Sequence, residues 1–312
     1  MTRYRQRPVQ EDDAERLLAL QHAQQIAVIG RPDCTLDDIR DQLLDPDLDP
    51  RSPVVLDADG HAVGVAMVFP AGDTDSVELD VVVHPDVNDA LLRPVLEQAV
   101  ELAADAARAR GHAEVKVDQG CYRQDAALAE MLRGLGFTPG TTFHRMRREL
   151  PDAVEVRVPH GVRIERIDVE TDRDLRRAHA LHMSTFEGHF GFHRRPYEEW
   201  LESRAARTGL GPLWLAVADG TDVGFLQETS QFVEDEDAGY VWQLGVASQA
   251  RGRGIAKALL LTSFAAMRER GRSAALLHVD TANATGATRL YESVGMRPGV
   301  VIDVWRCVRD LR

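Results

Sequence analysis

The stretch QARGRGIAKALL, residues 249–260, sets two glycines and two arginines directly before a helical apolar pattern. Ile255, Leu259, Leu260, Phe264 and Met267 recur at helical spacing, and Gly271 is placed to end the helix. Just upstream, YVWQLGV (240–246) reads as a strand. The local order is therefore strand, glycine turn, helix. Helix N-termini carry unpaired N–H groups and about half a positive charge. Glycines there let the backbone approach an anion closely and turn successive N–H groups inward. Arg251, Arg253 and Lys257 add mobile positive charge. The spacing predicts a cradle for a pyrophosphate. For this run alone, a surface helix with a soft start and solvated arginines is an equal alternative.

Composition limits the partners. The chain has 312 residues and a formal net charge of −13. That balance argues against general binding to nucleic acid or to anionic membranes, so a polyanion must be held by a local site. No apolar run reaches the length of a membrane span, and MTRYRQRPVQEDD holds no secretory core. The cysteines Cys34, Cys121 and Cys307 are few and far apart. They suggest neither a metal site nor a disulfide framework, and a cytoplasmic setting is the default expectation.

The length suits two domains, and the sequence repeats accordingly. PVVLDADGHAVGVAMVFP (53–70) matches PLWLAVADGTDVGFLQET (212–229) with Asp59-Gly60 on Asp219-Gly220. Both read as strand, tight turn, strand. VELDVVVHP (77–85) pairs with YVWQLGVAS (240–248), the helical run 91–111 with 254–271, and AEVKVD (113–118) with AALLHVD (274–280). MLRGLGF (131–137) then pairs with LYESVGM (290–296). Each unit is expected to be an α/β (α+β) domain with a mixed, mostly antiparallel sheet flanked by helices, the first over residues 1–152 and the second over 160–312. In the second unit, helices are expected at 170–188, from 196 to 207, from Gly252, and at 284–294, with a closing hairpin.

Gln249-Ala250-Arg251-Gly252-Arg253-Gly254 matches the (Q/R)xxGx(G/A) signature of the GNAT superfamily of acyl-CoA N-acyltransferases. NATGATRLYESVGM (283–296) resembles that superfamily's second signature. The paired layout is similar to tandem GNAT proteins, of which mycothiol synthases are one kind. The resemblance implies two tandem GNAT-like domains and acetyl-CoA as co-substrate. It places the pyrophosphate on the amides of Arg251, Gly252, Arg253, Gly254, Ile255 and Ala256, and the pantetheine arm between strand 240–246 and strand 274–279. Main-chain groups of Leu244 and Val246 would bond the arm and the acyl carbonyl, and Asn283 would contact the arm. Gly245 fits a bulge that opens the gap. Tyr291 would act as general acid toward the leaving thiolate.

The general base is not legible. Strand 240–246 has no carboxylate, and Tyr240 stands near where one is expected, beside Trp242. Glu228 and His189 are the possible bases, although Glu228 reads first as an exposed strand-face charge. FEGHFGFHRRPYEEW (186–200) lies between the first two helices of this unit, and Phe190 with His189 is placed at the acceptor wall. His189 and His193 lack a third ligand, so no metal is expected. Glu234-Asp235-Glu236-Asp237 reads as a solvated loop.

The first unit keeps the pattern and loses the residues. Its turn reads HPDVNDALLRP, with Asp86 and Asp89 in place of Gln249 and Gly252, and Leu132 stands where Tyr291 does. It is expected to bind no acyl-CoA productively. The function implied is transfer of an acetyl group to a primary amine of a small molecule, by direct attack in a ternary complex. Mycothiol synthase-like acetylation of a cysteinyl amino-sugar conjugate is the alternative within the class. A non-catalytic acyl-CoA-binding sensor is the alternative outside it. Monomer and homodimer are both compatible with the sequence.

Overall fold

The computed structural model describes residues 4–187, 192–207, 209–281 and 287–312. In chain order, the first half holds β1 (Arg5–Pro8), α1 (Ala14–Ile29), α2 (Leu36–Leu43), β2 (Pro53–Leu56), β3 (Ala62–Pro70), β4 (Ser76–Val83), α3 (Asn88–Ala109), β5 (Glu114–Tyr122), α4 (Ala126–Gly134) and β6 (Thr138–Glu149). The second half holds β7 (Val162–Arg166), α5 (Asp172–Thr185), α6 (Tyr197–Ala206), β8 (Leu210–Ala218), β9 (Thr221–Thr229), α7 (Val233–Glu236), β10 (Ala238–Val246), α8 (Ile255–Glu269), β11 (Ala274–Asp280), α9 (Ala287–Ser293) and β12 (Arg297–Asp310).

These elements gather into two units, residues 1–143 with 301–312, and residues 144–300. The repeat suggests a cut between 152 and 160, but strand membership depends on which neighbour a strand bonds. The last nine residues of β12 pair antiparallel with β5, from Ile302↔Tyr122 at one end to Asp310↔Glu114 at the other. Arg306 reinforces the pair with two 2.7 Å hydrogen bonds to Asp118. The closing element is thus one long strand rather than the expected hairpin.

The first unit's strand order is β1-β2-β3-β4-β5-β12. Only β4 and β5 run parallel; the other pairs are antiparallel. The second unit's order is β6-β11-β10-β9-β8-β7, with β10 parallel to β11 and the pairs β10–β9, β9–β8 and β8–β7 antiparallel. In each unit helices cover both sheet faces. α3 packs on one face of the first sheet and α1 with α2 on the other. In the second unit, Ile255, Leu259, Phe264 and Met267 of α8 bury against Leu226, Val241 and Leu277. Leu181 and Met183 of α5 and Trp200 of α6 bury against Leu213, Leu215 and Phe225. Each such large apolar side chain contributes about 1.5–3 kcal/mol.

The second Asp-Gly pair behaves as the sequence predicts, whereas at Asp59-Gly60 only the glycine is left-handed, with φ 88°. Asp219 and Gly220 have φ 52° and 76°, the left-handed pair that suits a two-residue hairpin between twisted strands. The acidic run 234–237 does not. Val233–Glu236 is the short helix α7, and Glu236 is buried with Arg147 at 2.6 Å and Arg145 at 3.5 Å. Two arginines from β6 draw that carboxylate inward. Among the described residues no helix is long and apolar enough to cross a membrane.

Candidate active site

The site begins where two parallel strands part. β10 and β11 pair from Ala238↔Ala274 to Val241↔Leu277 and no further. β10 continues to Val246 beside β9, with Leu244↔Leu226 and Val246↔Gly224. The Ala247 N–H donates to Val223 O at 2.9 Å. Amides alternate sides along a strand, so those of Gly245 and Ala247 face β9, and those of Leu244 and Val246 face the opening that β11 leaves. The register shift lies between Val241 and Gln243, which places the bulge at Trp242 rather than at Gly245. Gly245 has a different necessity. A Cβ there would lie 2.1 Å from Thr185 Oγ1 and 2.8 Å from Phe225, so only glycine lets the end of α5 rest on β10.

Past Val246 the chain makes a single 3₁₀ turn, Ser248–Ala250, then the glycine turn, then α8. Gly252 and Gly254 have φ 76° and 78°. Left-handed residues alternating with ordinary ones point consecutive amides to one side. Gly254 caps the helix, and its carbonyl takes the Ala258 N–H at 3.0 Å. Among the described residues, the amides of Gly252, Arg253, Gly254, Ile255, Ala256 and Lys257 have no hydrogen-bond acceptor. The helix therefore starts three residues later than Gly252, and the freed amides are available to an anion. Arg251 leans back, its Nε donating to Val246 O at 3.2 Å. Lys257 Nζ donates to Ser293 O at 3.3 Å, which ties the first turn of α8 to the end of α9.

Tyr291 on α9 is buried among the α8-side core residues, and burial pushes its phenol up to about 12. Its carbonyl accepts the Met296 N–H at 3.0 Å, closing the helix. On the other sheet face, Tyr240 OH lies 2.8 Å from His278 Nδ1. His278 follows the last paired residue of β11, so it stands at the mouth of the opening. Burial, then the charge of Arg145, lowers its imidazole to about 3, which keeps it neutral near pH 7. Trp242 stacks under the Arg207 guanidinium at 4.4 Å. His182, on α5, is joined to Trp200 and Gln243. The sequence reading missed His182, Gln243 and His278. The only signal for them is polar residues at positions that face apolar neighbours, which is weak without the fold.

Glu228 is not near this group. Its carboxylate points to the α8 face, accepting from Trp214 Nε1 at 2.8 Å, from Ser263 Oγ at 2.9 Å, and from Arg270. Burial raises its pKa while the Arg270 charge opposes that shift. Both oxygens are committed. His189, Phe190 and Asn283 lie outside the described residues.

The first unit offers a contrast at the matching place. β4 and β5 also pair in parallel only to Leu79↔Gln119. There Gln119 Oε1 accepts the Val81 N–H at 3.2 Å, filling the opening with a side chain. The following turn is closed by His84: its Nδ1 accepts the Asp86 N–H at 3.3 Å and its carbonyl the Val87 N–H at 3.0 Å. A cavity of about 250 Å³ remains, lined in part by Val82, Val83, Asn88, Leu92 and Asp125.

A parallel pair of strands that part beside a helix start bearing six free amides is an arrangement that can seat a diphosphate and the arm attached to it. The chain belongs to the GNAT family of acetyltransferases, and it is an enzyme of the GNAT type with acetyl-CoA as co-substrate. Residues 175–296 match the family described as Acetyltransferase (GNAT) family. The mycothiol acetyltransferase of Thermomonospora curvata is 33% identical over 246 residues, covering 76% of each chain. That of Thermobispora bispora is also 33% identical, over 58% of this chain and 62% of its own length. Among solved structures, a GCN5-related N-acetyltransferase from Sphaerobacter thermophilus superposes with a TM-score of 0.77 at 22% identity, covering 99% of this chain and 96% of that one. A tandem GNAT protein from the clavulanic acid biosynthesis pathway gives 0.73 at 17% identity and 99% of both chains. These two likenesses establish a tandem fold.

Proposed function

We propose that the second unit carries the single productive site and transfers acetyl from acetyl-CoA to the primary amine of a small molecule. The observation that carries this reading is the run of unsatisfied amides from Gly252 to Lys257 beside the parted strands. The coenzyme pyrophosphate sits on those amides, with Arg251 and Arg253 supplying charge. The Leu244 and Val246 amides face the arm and polarise the acyl carbonyl as negative charge develops on its oxygen. The amine attacks, the N–C bond forms and the C–S bond breaks. The proton lost by the amine balances the one the sulfur gains.

Tyr291 serves the leaving sulfur. A phenol at about 12 holds its proton more tightly than an ordinary thiol does at about 8.5. It therefore donates a hydrogen bond that steadies the thiolate, and the proton that completes the thiol comes from the amine. Glu228 is not the base in this reading, because Trp214, Ser263 and Arg270 already occupy it. An acceptor that arrives as an ammonium first gives its extra proton to water, and the one proton the neutral amine then loses completes the thiol.

The acceptor that the relatives' name favours is the cysteinyl amine of an amino-sugar conjugate. An acceptor screen that follows CoA release tests the reading. Turnover with a cysteinyl amine, lost in Tyr291→Phe with acetyl-CoA binding intact, supports it. A chain that binds acetyl-CoA and acetylates no amine is a coenzyme sensor.

A further inference from the structure

The close approach of α5 to β10 has a consequence for the acceptor. Thr185 rests on Gly245, and one helical turn earlier His182 lies over Gln243. The His182 ring is enclosed by Phe186, Phe192 and Phe225, with centroids 4.9, 5.8 and 5.8 Å away. Trp200 Nε1 donates to His182 Nδ1 at 3.0 Å. An indole nitrogen can only donate, so Nδ1 bears no proton, and the neutral ring carries its proton on Nε2. The Gln243 amide meets this ring at 3.2 Å, with its Nε2 placed against His182 Nε2, a donor-to-donor contact that turning the amide over relieves. Only the amide oxygen fits there, because two N–H groups facing each other would repel. The Gln243 NH₂ is thereby turned away from His182. Turned over, the NH₂ takes the place where the amide oxygen accepts from no described residue, and the side chain is half-buried. Gln243 immediately precedes Leu244, whose amide faces the acyl group.

We propose that Gln243 is a specificity-determining residue of the acceptor pocket and His182 its positioning residue. The Gln243 NH₂ donates to a carbonyl oxygen on the acceptor, and so selects amines whose neighbouring carbon bears an acyl group: α-amino amides over plain alkylamines. The reasoning is one of reach. The attacking nitrogen lies at the acyl carbon beside Leu244, and the next substituent of the acceptor lies one residue back along the strand. A fixed N–H donor there favours an acceptor atom and disfavours a second ammonium. His182 acts only through Gln243. This proposal rests on the acetyltransfer reading of the same site.

The test uses the full chain, acetyl-CoA, and two probes, L-cysteinamide and cysteamine, which share the amine and thiol and differ in the carboxamide. N-acetyl products are quantified by mass spectrometry, and acetyl-CoA binding by calorimetry. The wild type favours cysteinamide in kcat/KM. Gln243→Leu reduces that preference about tenfold, as expected for one hydrogen bond to a partly buried donor. The cysteamine rate and acetyl-CoA affinity change little. Gln243→Glu, which keeps the size and the bond to His182 but cannot donate, reduces the preference equally, and covers the case in which Gln243→Leu does not fold. His182→Phe lowers it in part. A role confined to packing would slow both probes alike. An unchanged ratio in the folded Gln243 variants overturns the proposal, as does a wild type that binds acetyl-CoA and acetylates neither probe. A chain that binds no acetyl-CoA removes the acetyltransfer reading itself.

Discussion

The two units solve the same turn in opposite ways. After β4, His84 consumes the Asp86 and Val87 amides, and the Asn88 amide bonds Pro85, so the turn that leads into α3 has its donors satisfied. After β10, Gly252 and Gly254 take left-handed angles and the amides from 252 to 257 are left without acceptors. At the strand parting, Gln119 closes the first opening with its own amide, while His278, two residues past Leu276 as Gln119 is past Val117, bonds Tyr240 instead and leaves the Leu244 edge clear. The lesson is that the tandem fold alone does not make a coenzyme site. What makes one is a small set of backbone donors left unsatisfied on purpose, and a few side chains decide whether they stay so.

Transplanting first-unit residues into the second unit tests this directly. Gly252→Asp imports the residue found at position 89, strains a backbone at φ 76°, and adds a negative charge beside the cradle. Acetyl-CoA affinity by calorimetry is expected to fall about 100-fold or more, since the strain alone costs about 1–2 kcal/mol. Retained affinity would break the comparison. Tyr291→Leu imports the residue at 132 and should leave acetyl-CoA binding intact while kcat falls about 100-fold, the lower range for loss of a hydrogen bond aimed at developing charge. Full activity would remove the phenol from the chemistry.

His278→Gln imports the residue at 119 and has the smallest effect. Its new amide is expected to reach the Leu244 N–H and weaken acetyl-CoA binding severalfold. A pH signature accompanies it. The folded imidazole titrates at about 3, and an unfolded histidine at about 6.5. Between those values the unfolded chain binds a proton that the folded chain refuses, so stability falls as pH drops below about 6.5. The glutamine variant should show a flatter melting temperature from pH 7 to 4. An unchanged slope would mean that other groups set the acid sensitivity.

Much of the fold was legible because its signals are local. The Asp219-Gly220 hairpin, the glycine turn and the stripe on α8 each lie within a dozen residues, and backbone sterics alone dictate them. The repeat exposed the tandem plan. It could not reveal that residues 302–310 bond to β5, because two similar units present similar strand edges, and a sequence match does not say which edge a strand takes. The acceptor side was illegible for a related reason. His182, Trp200 and Gln243 come together from three separate elements, His278 meets Tyr240 from a fourth, and each alone resembles an ordinary half-buried polar residue. Glu228 misled in the reverse direction: a carboxylate on a central strand looks reactive until Trp214, Ser263 and Arg270 are seen around it.

The most direct measurement is the binding stoichiometry of acetyl-CoA on the full-length chain by isothermal titration calorimetry. One molecule per chain, abolished by Gly252→Asp, is the predicted result. Two molecules per chain, or one that persists in Gly252→Asp, would place the coenzyme elsewhere and contradict the assignment of the cradle to the second unit alone.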